Sequence, residues 1–255
     1  YMSREEFLNT FFKKITYKKS KHHEHIFYKF SKINAELLYK MISPYIFECD
    51  LQFDKKETTK IIKIPYSNAN EYYIEKEKKL KEYLEKGSSE TIINMLTILN
   101  SIASNYSLKN DEIIKYISNK KVILFCNFLQ EVEYIRNKID CYVITGSTKN
   151  RDIIIDNFKN DSKPLIMTLG VGAYSLNLQF CNEIVYSSIT FDYSKLEQSK
   201  YRIKRIGQEK NIKYTYFLTD LGITNLILEN IKKKSTLENL IKEKMIGGTE
   251  WLKNI

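Results

Sequence analysis

Lys121-Val-Ile-Leu-Phe-Cys-Asn-Phe128 opens the half of the chain in which the fold is decided. Its unbroken apolar run, residues 122–126, is too short for a helix that packs by one face, and it suits a strand buried on both sides. Outward from this strand the rhythm repeats. Residues 129–139 carry helical spacing, 142–145 read as a strand, 148–158 as a helix, and 164–168 and 183–186 as strands. A helix over 194–206, a strand over 212–218 and one long helix from about 224 to 245 complete the series. Strands alternating with helices of this length predict an α/β fold, a parallel sheet flanked by helices, with ligands gathering at the carboxyl ends of the strands.

Upstream of residue 119 the pattern is mostly helical. Residues 35–41 predict a helix ended by Pro44, and two extended runs follow at 45–53 and 58–66. Residues 70–86, dense in Glu and Lys, predict a solvated helix with Tyr73, Leu80 and Leu84 as its apolar side. Ile92, Met95, Leu96, Leu99 and Ile102 recur at steps of three and four, which predicts a helix packed on a core; 111–117 adds a shorter one. The expected domains are therefore a mostly helical linking segment, 1–118, an α/β lobe, 119–245, and a tail, 246–255, packed by Trp251.

Composition narrows the function classes. Of 255 residues, 43% are hydrophobic, while only 8 are Gly and 3 are Pro, which excludes fibrous and low-complexity chains. Lys and Arg number 41 against 31 acids, and the resulting +10 favours polyanionic partners. No apolar window is long enough to span a membrane, and residues 1–6 carry no signal-peptide pattern. The four cysteines form no CxxC pair, and His22, His23 and His25 lack a distant partner, so no metal site is expected. Lys13, Lys14, Lys18, Lys19 and Lys21 form an early basic patch, read either as a DNA contact or as a solvated helix face. A first residue other than Met suggests a piece of a longer chain. Heavy use of Lys, Ile, Asn and Tyr suggests an AT-rich bacterial or phage genome, hence a cytoplasmic location in a bacterial or phage-infected cell.

The chemistry concentrates in Gln198-Ser-Lys-Tyr-Arg-Ile-Lys-Arg-Ile-Gly-Gln208. Ser194 and Glu197 are spaced as a capping box, which starts the helix near Lys195. On a continuous helix Gln198, Arg202 and Arg205 would share one face, and two guanidinium groups there form a fork suited to phosphate oxygens. Periodicity alone leaves a solvated basic face as the alternative. Between Gln198 and Lys213 six basic residues meet one acid, whereas Glu71 to Ser118 holds seven Lys and eight acids, so the positive charge is localised.

Those eleven residues resemble motif VI of the SWI/SNF-type ATPases of helicase superfamily two. The resemblance implies a second RecA-like lobe whose arginines reach ATP bound mainly by a first lobe of the same full-length protein. Arg202 and Arg205 would then be catalytic, Arg205 as arginine finger, with Gln198, Gly172 and Asn177 in the nucleotide cleft. Residues 121–128 resemble motif IV, and Thr145-Gly-Ser-Thr148 with Arg151 and Phe158 resembles the block that follows. Residues 168–178 resemble motif V, with Ala173 and Ser175 where two glycines are usual. On this pattern Asn127, Phe128, Gly146, Ser147, Arg151 and Thr168 would meet DNA, most simply duplex DNA. Residues 37–66 resemble the segment linking the lobes, with Phe47 and Glu48 in place of the usual two arginines.

The chain contains no Gly-x-x-x-x-Gly-Lys-Ser/Thr loop. ATP and magnesium would accordingly be held by the first lobe, none tightly by this chain, and hydrolysis by this chain alone is not expected. The implied function is the second motor lobe of a DNA-dependent ATPase or translocase. A non-catalytic nucleic-acid-binding module with a degenerate helicase fold is the alternative; a Rossmann-like transferase or a nuclease would need glycine or carboxylate clusters that the sequence lacks.

Overall fold

Ser3 begins the first helix by satisfying its free amides. Its Oγ accepts from Glu6 N at 3.2 Å while Glu6 Oε2 accepts from Ser3 N at 2.7 Å. That helix, α1 (Arg4–Phe11), leads directly into β1 (Phe12–Ser20), paired antiparallel with β2 (His23–Phe30) from Phe12 opposite Phe30 to Tyr17 opposite His25. Lys13, Lys14, Lys18 and Lys19 thus lie on a strand and not on the helix face that is one reading of them. Lys13 and Lys14 consequently fall on opposite faces of the ribbon, because side chains alternate along a strand. Helix α2 (Ala35–Ile42) ends at a short turn containing Pro44, as expected.

The computed structural model describes residues 2–20, 23–46, 53–67, 69–173 and 176–255. Lys21, His22, Cys49, Phe47, Glu48, most of the extended run expected at 45–53, and Ser175 lie outside the described residues. The chain forms two compact units, Tyr1–Gln52 and Phe53–Ile255. The change of rhythm at residue 119 falls inside the second unit.

The second unit runs β3 (Glu57–Ile64), α3 (Asn70–Lys86), α4 (Ser89–Ser104), α5 (Ser107–Ile117), β4 (Ile123–Cys126), α6 (Leu129–Arg136) and β5 (Tyr142–Ile144). It continues α7 (Arg151–Asn160), β6 (Leu165–Thr168), β7 (Glu183–Tyr186), α8 (Tyr193–Lys200), β8 (Ile212–Thr219), α9 (Gly222–Lys232) and α10 (Leu237–Ile246). The six strands make one parallel sheet in the order β3-β8-β7-β4-β6-β5. This is the α/β, RecA-like architecture that the sequence predicted. Strand β3 joins it at the edge, Glu57 opposite Ile212 through Ile64 opposite Thr219, which binds part of the expected linking segment to the lobe.

Alternation along the central strands separates two cores. Ile123, Phe125, Leu165, Met167, Ile184 and Tyr186 join Leu96 and Leu99 of α4 on one side. Leu124, Cys126, Ile166 and Val185 join Ile113 of α5 and Val132 and Ile135 of α6 on the other. Helix α3 packs on α4, and α4 on α9. The buried side of α3 is Tyr72, Lys76 and Tyr83, with Leu80 partly buried against the core as expected, whereas Tyr73 and Leu84 are exposed, which corrects the expected apolar side at those two positions. Tyr72 can bury its ring because its Oη accepts from Ile223 N at 3.3 Å.

Two further expectations are corrected. The long helix over 224–245 is two helices: Lys234 adopts φ 51°, Thr236 Oγ1 accepts from Asn239 N to begin α10, and Asn230 Nδ2 donates to Ser235 O at 3.0 Å across the break. Helix α8 starts at Tyr193, capped by Asp192 Oδ1 accepting from Lys195 N at 3.1 Å, and not by the Ser194 box. It also ends at Lys200, well short of 206.

Candidate functional site

The early end of α8 shapes the arginine segment. Arg202 N and Ile203 N bond three residues back, to Ser199 O and Lys200 O, so the backbone tightens into successive turns. Arg202 O then accepts from Leu178 N at 3.1 Å, a partner outside the helix. Ile203 is fully buried, and its burial offsets the loss of helical bonds. Gln198, Arg202 and Arg205 therefore do not share a helical face: Gln198 remains exposed on α8, and both arginines lie in the turns beyond it.

What holds this segment is the loop that follows β6. Thr168 ends β6, residues 169–173 form a short 3-10 turn containing Gly172, and α8 packs against that turn. The Arg205 guanidinium donates to Asn177 Oδ1, joining two of the residues expected in the nucleotide cleft. Buried Gln208 donates through Nε2 to Cys181 O at 2.9 Å and to Ile203 O at 3.2 Å, and its Oε1 accepts from Lys210 N. From the sheet side, Tyr186 stacks on Tyr216 with centroids 4.6 Å apart, and its hydroxyl meets Ser199 Oγ at 2.7 Å. Tyr186 is fully buried, which raises its pKa and keeps the hydroxyl neutral as a hydrogen-bonding group.

Electrostatics set Arg202 apart. It is only 9% exposed, and its Nε has no hydrogen-bond partner. Burial, and then the charge of Arg205 beside it, lower its pKa. Among the described residues no carboxylate lies within ion-pair distance of Arg202 or Arg205. Other cations of the stretch are engaged: Lys200 with Glu197 at 2.6 Å, Lys204 with Glu57 at 2.6 Å and Lys213 with Glu183 at 3.1 Å. The localised positive charge thus reduces to the two arginines and Lys210. A buried guanidinium lacking a counter-charge fits an anion with several oxygens, and phosphate matches its fork.

The second set of expected residues lines the carboxyl edge of three neighbouring strands. Cys126 of β4 is level with Thr168 of β6, and Ile144 of β5 with Met167, so Asn127, Thr168 and the turn 145–148 follow one another along the edge. Within that turn Thr148 Oγ1 accepts from Thr145 N at 2.9 Å. The Arg151 guanidinium donates to Thr148 O, Thr145 O and Gly146 O, bracing the turn and leaving Gly146 and Ser147 exposed. Asn127 and Phe128, both partly exposed, border a cleft of about 700 Å³ that residues 190–194 and 234–238 also line.

The sequence reading missed the groups that hold Asn127 and Phe128. Glu131, fully buried, accepts at Oε2 from both of their backbone amides at 3.0 Å and from Ser188 Oγ at 2.7 Å. A signal for it was present, since a Glu three residues into a helix often reaches back to its first amides.

Residues 108–207 match the family model of the helicase conserved C-terminal domain. The ATP-dependent helicase YqhH of Bacillus subtilis is 28% identical over 182 residues, covering 67% of this chain and 32% of that protein. The ATP-dependent helicase FUN30 of Saccharomyces cerevisiae is 27% identical over 164 residues, covering 55% of this chain and 14% of that protein. Among solved structures, the Sulfolobus solfataricus SWI2/SNF2 ATPase core in complex with dsDNA shares the fold with a TM-score of 0.56 at 21% identity, over 85% of this chain and 53% of that one. The chain spans about a third or less of the length of the curated relatives it matches.

Proposed function

We propose that this chain, whose residues 108–207 match the helicase conserved C-terminal domain, is the second RecA-like lobe of a SWI/SNF-type motor and supplies one half of the ATPase site of a DNA translocase. Arg202 and Arg205 stabilise the charge that develops on the γ-phosphate of ATP, with Arg205 as the finger and Asn177 orienting it. Gln198 and Gly172 border the same cleft. ATP and magnesium are bound mainly by a first lobe, which brings the phosphate-cradling loop. Closure of the lobes around ATP brings the arginines to the γ-phosphate and is coupled to a step along duplex DNA, which Asn127, Phe128, Gly146, Ser147, Arg151 and Thr168 contact.

The observation that supports this reading most is Arg202, a buried guanidinium whose Nε has no partner. Such a group is costly in isolation, and a polyphosphate brought by another lobe would satisfy it. Arginine fingers elsewhere contribute on the order of 10³–10⁵ in rate.

The test is made with the two lobes in one polypeptide. Arg205→Ala should abolish DNA-stimulated ATP hydrolysis and leave DNA affinity nearly intact. Equal loss of both would make Arg205 a DNA contact. The chain by itself should hydrolyse ATP at no measurable rate, and robust turnover in a clean preparation would overturn the half-site reading.

A further inference from the structure

We infer that Glu131 is the positioning residue of the loop at Asn127 and Phe128: it takes up both backbone amides, so that this loop meets nucleic acid through the Asn127 carboxamide and the Phe128 ring. The inference deepens the proposed function and rests on the reading of this loop as a DNA contact.

Glu131 sits in the first turn of α6 with no exposed surface, where an unsatisfied carboxylate would be severely destabilising. Every side of it is met by a donor. Oε2 accepts from Asn127 N and Phe128 N, each at 3.0 Å, and from Ser188 Oγ at 2.7 Å. Oε1 accepts from Ser187 Oγ at 2.5 Å and from Lys109 Nζ at 3.4 Å. Lys109, also buried, donates in addition to Ser187 O at 2.7 Å. The carboxylate therefore ties together α5, the tip of β7 and the loop leaving β4.

Stability alone would not call for this arrangement. A buried ion pair is often no more stabilising than a packed apolar pair of the same volume, and an ordinary serine cap would satisfy one amide. What the carboxylate adds is a fixed direction for two successive peptide groups. Its consequence for binding is specific. Phosphate-binding loops use free backbone amides, and here those at Asn127 and Phe128 are consumed. Among the described residues the Asn127 side chain has no hydrogen-bond partner, and the Phe128 ring is partly exposed beside the 700 Å³ cleft. These two side chains are what remains for a ligand: a carboxamide for backbone or base-edge oxygens and nitrogens, and a ring face for stacking or sugar contact.

The experiment compares the chain with Glu131→Gln, which keeps volume and removes the charge, by amide hydrogen exchange and by affinity for a fluorescent DNA duplex. Exchange at Asn127 and Phe128 should accelerate about tenfold or more, as loss of a charge-assisted acceptor implies, while Leu124 and Phe125 stay protected. DNA affinity should fall several-fold. Asn127→Ala should weaken DNA binding with unchanged exchange at Phe128. If Glu131→Gln fails to fold, Ser188→Ala serves instead and should accelerate exchange at Asn127, whose amide lies 3.1 Å from Ser188 Oγ, more than at Phe128. Unchanged exchange in the folded variants would overturn the inference, as would accelerated exchange with undiminished DNA affinity. Absence of DNA binding by the unsubstituted chain would sink the DNA reading, while accelerated exchange would still uphold Glu131 as the clamp.

Discussion

Gln208 Nε2 donates to the Cys181 carbonyl at 2.9 Å and so fastens the end of the arginine segment to the loop that carries Asn177. The last residue of the motif thus acts on the protein's own backbone. Replacing it by leucine leaves the buried Cys181 carbonyl unpaired, while the Ile203 carbonyl keeps Arg205 N and the exposed Lys210 amide turns to water, at a cost of about 1–3 kcal/mol. A urea unfolding series should show a lower midpoint with unchanged slope; an unchanged midpoint would show that the bond contributes nothing.

The salt dependence of DNA binding should single out Lys210. Lys204 and Lys213 are held by Glu57 and Glu183, and those bonds raise both lysine pKa values, Lys213 chiefly through Tyr116. Lys210→Ala should reduce the slope of log affinity against log salt by about one, and Lys204→Ala by less. Equal slopes for the two variants would refute this division of labour.

The Lys109 and Glu131 pair should behave as a unit. Removing only the lysine by Lys109→Met leaves a buried carboxylate without its counter-charge, costing about 3–5 kcal/mol, and the double variant with Glu131→Leu should cost less than the sum of the two single changes. Thermal unfolding of the two single variants and the double variant measures the coupling, and simple additivity would argue against it.

Acid should loosen the α9 and α10 corner. Hydrogen bonds from Lys244, then Lys233, hold the Glu229 carboxylate below the ordinary glutamate pKa. Its contribution is therefore complete above the ordinary value and is lost as pH falls through the depressed one. Between pH 6 and pH 3 the Glu229→Gln variant should lose less stability than the parent chain; identical acid profiles would contradict it.

Much of the lobe was legible in sequence because its strands are short apolar runs buried on both faces, as at residues 122–126. The resemblance of residues 198–208 likewise needed no coordinates. Less legible were features that depend on distant partners. Strand β3 reads as an isolated extended run until β8 supplies its neighbour. Glu131 looks like one more charge on a helix until Lys109, Ser187 and Ser188 converge on it.

By itself the sequence determined the order of strands and helices from β4 through β8, since periodicity reports which side of a local element is apolar, and it determined which residues form the arginine motif. Tertiary structure alone decided where those arginines lie. Helix periodicity would carry α8 through residue 206, but Leu178 takes the Arg202 carbonyl and Ile203 turns into the core, so the helix stops at Lys200. That competition between a local and a long-range partner for the same backbone group is what leaves Arg202 buried, with its Nε unpartnered.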